Sequence, residues 1–325
     1  MATPSSRLLF GTLPWYGLLI VLGAGLAIFL ANREANRLQF PPEVMIDLSL
    51  WLLPCGILGA RLYYVLFSWD TFADHPLSIL YIWQGGLAIY GGIIFGFLTI
   101  WLFCKRKKLS LPRTLDVLIP GVALAQAIGR WGNYFNQEAF GLLLSGDSPF
   151  ASFPLAVFIT NDGLNKWHLA TFFYESVWDF SVFLFLCWGR KHLFRKEGDP
   201  FFFYLFLYAA GRLVIENLRT DSLMAGSNLR VSQWLSVLLI SGILIYYFQR
   251  YRKRKSIEKH QWFLFCVTMF FDILVLGFCA GGESLISIQP FTILLAGFSL
   301  WNIFILLFFY GRSSFSEVIY ANHEA

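Results

Sequence analysis

This sequence is poor in charge: Asp, Glu, Lys and Arg make up 14% of its 325 residues, against about 25% in a soluble globular chain. The shortfall excludes an ordinary water-soluble domain. Cysteine is scarce and never clustered. Cys55, Cys104, Cys187, Cys266 and Cys279 stand singly, in or at the ends of apolar segments. With no CxxC and no Cys/His group, the spacing points to neither a metal site nor redox chemistry, and each thiol reads as packing. No metal and no cofactor is expected, and a cysteine in the chemistry would come from a substrate. No repeat with a period of about 20–50 residues stands out, which leaves out solenoids and propellers. No low-complexity stretch marks a linker.

Apolar and aromatic residues fill the chain instead: 57% is hydrophobic, with 35 Phe, 14 Tyr and 12 Trp. Stretches near the ~20 residues that cross a bilayer recur at 14–31, 44–67, 79–104, 113–135, 169–188, 200–218, 231–248, 262–280 and 291–310. The expected fold is all-α, a polytopic transmembrane helical protein in one body. Segment 79–104 carries Gly85, Gly86, Gly91, Gly92 and Gly96. It reads either as one helix or as a broken or re-entrant stretch, tolerated at depth only where protein or a wet cavity covers the backbone. Arg7 precedes an apolar run with no convincing small-x-small cleavage site, so the N-terminus reads as an uncleaved first span.

The net charge of +5 raises nucleic acid as a partner, but its placement argues otherwise. Of the 25 Lys and Arg, 18 fall in 32–43, 104–113, 189–199, 249–260 and 311–325, while Arg7, Lys166, Arg219 and Arg230 fall on the other side. The positive-inside rule then puts the N-terminus outside and the C-terminus in the cytoplasm. The runs Lys105-Arg106-Lys107-Lys108 and 250–255 anchor on anionic membrane lipids, and no nucleic-acid partner is expected. The outside segment 136–168, with Gly141, Gly146, Asp147, Pro149, Pro154, Asn161, Asp162 and Gly163, reads as an irregular arm on the outer face.

Polar groups at membrane depth are the informative feature. Near the outer end of the fourth span lies Gly129-Arg130-Trp131-Gly132-Asn133-Tyr134-Phe135-Asn136-Gln137-Glu138. Arg130 and Asn133 share a helix face, and Asn136 continues it if the helix persists. Tyr208, Arg212, Glu216 and Arg219 form one stripe of the sixth span. A snorkelling Arg130 and an internal Arg212–Glu216 ion pair are the plain readings. Two arginines at one depth on different spans also describe an anion site, because a guanidinium stays charged and its fork suits phosphate oxygens. At an outer leaflet surface that anion is most simply a phospholipid head group. Other positions stay open. Tyr16 is an aromatic-belt anchor or a site residue. Arg61 is a lipid contact or a snorkelling cation. Tyr90 is a hydrogen-bonding catalytic group or packing. Glu175 and Asp179 add acids near the fifth span.

Together these residues resemble the prolipoprotein diacylglyceryl transferase family. The matching blocks run in family order: Trp15-Tyr16-Gly17-Leu18, Arg61 to Phe67, Trp83 to Gly92, Gly129 to Glu138 with Gly141, Tyr174-Glu175, and Gly211-Arg212 to Leu223. The resemblance covers about residues 14–250, and the GR-x-GN-x-x-N-x-E block is its most specific part. It implies seven core spans with the orientation the charges gave independently, in the bacterial cytoplasmic (inner) membrane. It implies transfer of the diacylglyceryl group of phosphatidylglycerol to the lipobox cysteine of a prolipoprotein signal peptide, releasing glycerol phosphate. The family's phosphate-binding arginine falls on Arg130 and its second essential arginine on Arg212. The signature's asparagine and acid fall on Asn133 and Glu138, the second acid on Glu216, and the N-terminal tyrosine on Tyr16. Asn136, Gly141 and Arg61 complete the expected substrate contacts.

The chain departs from the pattern in two places. Many members carry a histidine where Tyr90 stands, and a phenol, ordinarily ionising near pH ~10, is a poor base. Either Tyr90 orients substrate or the proton goes to another group such as Glu138; Glu138 and Glu216 each read as proton acceptor or as arginine holder. The family's His-Pro-Thr element appears as Leu169-Ala170-Thr171, with His168 one place early. The family core is expected over 1–254. Residues 255–325 add two spans, with Asp272 and Glu283 among their few polar groups, and read as a packing or partner-binding appendage. A catalytically inactive phospholipid-binding scaffold related to the family is the alternative function.

Overall fold

A computed structural model describes residues 8–160, 165–225, 229–253, 258–281 and 288–321. Arg7, Asn161, Asp162, Gly163, Arg254, Lys255 and Glu283 lie outside them. The described residues hold nine α-helices: α1 (Trp15–Arg37), α2 (Val44–Phe67), α3 (Ile89–Lys107), α4 (Leu111–Asn136), α5 (Thr171–His192), α6 (Asp199–Ile215), α7 (Val231–Arg252), α8 (Lys259–Gly281) and α9 (Ile288–Ala321). Eight are long and apolar enough to cross a membrane. The exception is α5, which buries Glu175 and Asp179 and ends on Arg190, Lys191 and His192. The chain is a polytopic helical, multi-pass membrane protein.

By contact the chain forms two compact units, one of Met1–Gly23 with Ala123–Ala325 and one of Ala24–Val122. In the second unit, α2 and α3 approach closely. A Cβ on Gly91 would overlap the Gly59 carbonyl and the Tyr63 side chain. The stretch expected at 79–104 is helical only from Ile89. Before it come two 3-10 turns, Pro76–Leu80 and Ile82–Gln84. Gly85 (φ 90°) and Gly86 (φ 72°) then turn the backbone through the left-handed region, where only glycine is free of Cβ strain. The broken alternative is the one that forms.

The first unit packs α5, α6, α7, α8 and α9 with the later half of α4. Leu186, Phe206, Leu213, Ile240, Leu244, Tyr247 and Phe309 are fully buried in it. Helix α6 starts at Gly198, whose φ of 90° ends the preceding turn, with Pro200 in its first turn; the fixed φ of proline suits that position. At its other end α6 tightens into a 3-10 turn, Glu216–Leu218.

The arm after α4 is more regular than its turn-rich composition indicated. It contains β3 (Leu143–Leu144), β4 (Ala156–Ile159) and β5 (Lys166–Leu169) in an antiparallel sheet of order β3-β5-β4. The cause is a local core: Val157, Ile159, Ala170 and Phe172 bury against Trp131, Tyr134, Phe140, Phe153 and Phe173.

Candidate active site

Three helices bring the polar residues together, and buried hydrogen bonds fix their register. Trp131 Nε1 on α4 donates to Ser176 Oγ on α5 at 3.1 Å, and Ser176 Oγ donates back to Ala127 O at 2.8 Å. Trp178 Nε1 on α5 donates to Leu207 O on α6 at 2.9 Å. Tyr204 OH on α6 donates to Gln126 Oε1 on α4 at 2.7 Å. Gly211 permits the close approach of α6 to α5, because a Cβ there would overlap the Trp178 indole. Groups buried away from water have few alternative partners, so such bonds define one arrangement.

At the centre stands Glu175, 5% exposed. Its Oε2 lies 2.7 Å from Arg130 Nε, and its Oε1 lies 2.5 Å from Arg212 Nη1 and 3.1 Å from Arg219 Nη1. One carboxylate therefore gathers three guanidiniums from two separate chain segments. Arg212 also reaches Glu216 Oε2 through Nη2 at 2.6 Å. Arg219 is forked by Asp221, Nε to Oδ1 at 2.9 Å and Nη2 to Oδ2 at 2.8 Å. The contacts at Glu175 Oε2 and Glu216 Oε2 are close but off the hydrogen-bond axis, so they act as ion contacts. Burial opposes the charge of Arg219, but the Asp221 hydrogen bonds and the fields of Glu175, Asp221 and Glu216 outweigh it and raise its pKa. Asp179, one turn on from Glu175 and 4% exposed, keeps Oδ2 without a hydrogen-bond partner.

Arg130 and Arg212 thus share one environment. Arg130 meets Glu175 through Nε, which leaves its terminal Nη pair outside that ion pair, in the fork geometry that suits phosphate oxygens. Asn133 and Asn136 both donate through Nδ2 to Glu138 Oε1, at 3.1 and 3.3 Å, and Glu138 is exposed. Tyr16 lies over Gly132, where a Cβ would overlap its ring, and Trp15 stacks on Phe135 with ring centroids 4.7 Å apart. Gly141 enters through its backbone. Its N–H donates to Leu169 O at 2.8 Å, its carbonyl accepts from His168 Nδ1 at 2.9 Å, and it bridges to Arg219.

Two expected site residues belong to the other unit. Arg61, 6% exposed, neither snorkels nor stands open to lipid. Its Nε donates to Ile79 O at 2.9 Å, Nη1 to Gly85 O at 2.7 Å and Gly86 O at 3.1 Å, and Nη2 to Ser78 O at 2.8 Å. Four of the five guanidinium N–H groups thus pin the backbone before α3. Tyr90, in the first turn of α3, faces Tyr63 with ring centroids 6.4 Å apart.

A family model described as prolipoprotein diacylglyceryl transferase matches residues 7–249. The chain belongs to the prolipoprotein diacylglyceryl transferase family. Phosphatidylglycerol–prolipoprotein diacylglyceryl transferase of Streptococcus equi subsp. equi is 44% identical over 252 residues, 77% of this chain and 95% of the relative. The protein of the same name from Limosilactobacillus reuteri is 43% identical over 250 residues, 74% of this chain and 88% of the relative. That from Enterococcus faecalis is 45% identical over 236 residues, 71% and 84% of the two chains.

Within this transferase, Glu175 and Arg219 are more central than their sequence context indicates. Glu175 stands in a third block, far in sequence from both arginine clusters; Tyr174-Glu175 is among the matching blocks, but no role in holding the arginines comes with it. Arg219 read as an outside charge at the end of a stripe, although the stripe already aligned it with Arg212.

Proposed function

We infer that this transferase moves the diacylglyceryl group of phosphatidylglycerol to a cysteine thiol of prolipoproteins. Family membership over residues 7–249 carries the reaction, and the three arginines converging on Glu175 carry the assignment of the site. The protein acts in the bacterial cytoplasmic membrane with its N-terminus outside, and its acceptor is the lipobox cysteine of the signal peptide. Residues 1–254 form the transferase core, and 255–325 are appended to it.

In the proposed step the cysteine sulfur attacks the glyceryl carbon that bears the phosphate ester. A carbon–sulfur bond forms, the carbon–oxygen bond breaks, and the electron pair leaves on glycerol phosphate. Arg130 and Arg212 bind the phosphate and stabilise the charge that gathers on it, an effect strongest where water is excluded. Glu175 holds these guanidiniums in place. Asn133, Asn136 and Tyr16 shape the head-group end of the site.

The thiol proton needs an acceptor. Both oxygens of Glu175 face guanidiniums, and Glu216 is 1% exposed and paired with Arg212. Glu138 is exposed and accepts at Oε1 from the Asn133 and Asn136 amides; we assign it the proton, a modest task for a thiol whose ordinary pKa is near ~8.5. Incubation with phosphatidylglycerol and a lipobox peptide tests this reading. The expected result is a peptide heavier by one diacylglyceryl group, with glycerol phosphate released in equal amount. An unmodified peptide, in a membrane where a Streptococcus relative works, overturns it.

A further inference from the structure

The family match ends at residue 249, yet α9 lies beyond it and runs along α6, the helix that carries Arg212 and leads into Glu216. Three sets of polar contacts tie the two. Asn217 Nδ2 donates to Thr292 Oγ1 at 2.7 Å. Ser299 Oγ donates to Ala210 O at 3.3 Å. The Tyr310 hydroxyl sits 2.9 Å from Asp199 Oδ2 and 3.0 Å from Leu193 O, and accepts from Arg195 N at 3.1 Å. From Thr292 to Ser299 is seven residues, as from Asn217 back to Ala210, and from Ser299 to Tyr310 is eleven, as from Ala210 back to Asp199. Seven and eleven are close to whole turns of a helix with 3.6 residues per turn, so each set lies on one face and the helices run antiparallel in register.

Apolar faces of two helices can slide past each other with little change in free energy. Buried polar pairs cannot, because each unmatched group at membrane depth is costly. Asn217, Ser299, Tyr310 and Asp199 are all buried, so these contacts select the register. Asn217 also directly follows Glu216 in the 3-10 turn that leads to Arg219. On its other side the same turn is held by the arm, through Leu142 N to Leu218 O at 2.9 Å.

We propose that α9 is a positioning helix for the transferase site: Thr292, acting through Asn217, fixes the turn that presents Glu216 and Arg219 to Arg212 and Glu175. Thr292 and Asn217 are positioning residues, and the proposal rests on the function inferred above. The test uses the full-length protein in phosphatidylglycerol nanodiscs with a lipobox peptide, and normalises turnover to folded protein. Thr292→Val is expected to lower kcat about fivefold to tenfold, the scale of one lost hydrogen bond, with peptide KM unchanged. Thr292→Ser, which restores the hydroxyl, returns kcat to the wild-type value. Trp301→Phe removes a 3.2 Å bond from Trp301 Nε1 to Thr268 Oγ1 within α8 and α9 and leaves kcat unchanged. Amide exchange at 216–219 is faster in Thr292→Val.

A wild-type kcat in Thr292→Val overturns the proposal, as does an equal loss in Trp301→Phe or a failure of serine to rescue. If the wild type itself transfers nothing, the functional reading fails and exchange alone decides: faster exchange at 216–219 upholds the positioning role, and unchanged exchange overturns it.

Discussion

A carboxylate surrounded by three guanidiniums at membrane depth persists only as a set, because removing one member leaves the others buried with unbalanced charge. Glu175 occupies that position between Arg130, Arg212 and Arg219. Glu175→Gln keeps the shape and deletes the charge. It is expected to cost about 3–5 kcal/mol of stability and to reduce turnover of the protein that remains folded. Thermal unfolding in detergent, read beside labelled-lipid transfer, checks both. Arg130→Lys keeps the charge and loses the fork, and kcat should fall about 10²–10³-fold with insertion intact. Glu138→Gln should slow transfer most near neutral pH and lose less as rising pH ionises the thiol unaided. A rate loss independent of pH would remove Glu138 from proton transfer. Arg130 and Arg212 were legible in the sequence because an arginine inside an apolar span needs a reason. Glu175 was less so, since its importance comes from partners that only folding brings near.

Among the elements, α5 illustrates how function competes with membrane insertion. Its acids and its basic last turn keep it below the apolarity of the other eight long helices, yet it carries the central carboxylate. Its placement depends on Gly211 of α6 meeting Trp178. Gly211→Val should displace that indole from Leu207 O and destabilise the protein by about 1–3 kcal/mol, seen as a lowered unfolding temperature; an unchanged temperature would show that α5 and α6 can separate without cost. The helices were readable from apolar runs of bilayer length. The sheet of the arm was not, because its strands are two to four residues long, too short to show a period, and pair across long separations. The break before α3 was readable as one of two alternatives from its glycines. The carbonyl cradle that Arg61 fills there was not, since a single arginine gives no sign of backbone partners distant in sequence.

For the molecule as a whole, the skew of Lys and Arg between loops predicts the orientation. In a variant with its five cysteines replaced by serine, a cysteine introduced at Ser148 should react with a membrane-impermeant reagent from outside. One introduced at Lys196 should react only from the cytoplasmic side. The reverse pattern would invert the topology and place the arginine site on the wrong surface. Eight of the nine expected spans follow from apolar runs of bilayer length, the one at 169–188 being the exception, and the expected sidedness rests on the charge skew that this labelling tests. The ties of the extension to α6 could not be read that way, because they include polar contacts hidden in otherwise apolar helices.

The central claim is that Arg130 and Arg212 act together on one phosphate. Its most direct test is the rate of transfer from acyl-labelled phosphatidylglycerol to a lipobox peptide by wild type, Arg130→Ala and Arg212→Ala, each inserted in lipid. The expected result is transfer by the wild type and loss of about 10²–10³-fold or more in each variant. Transfer at the wild-type rate by either variant would contradict it.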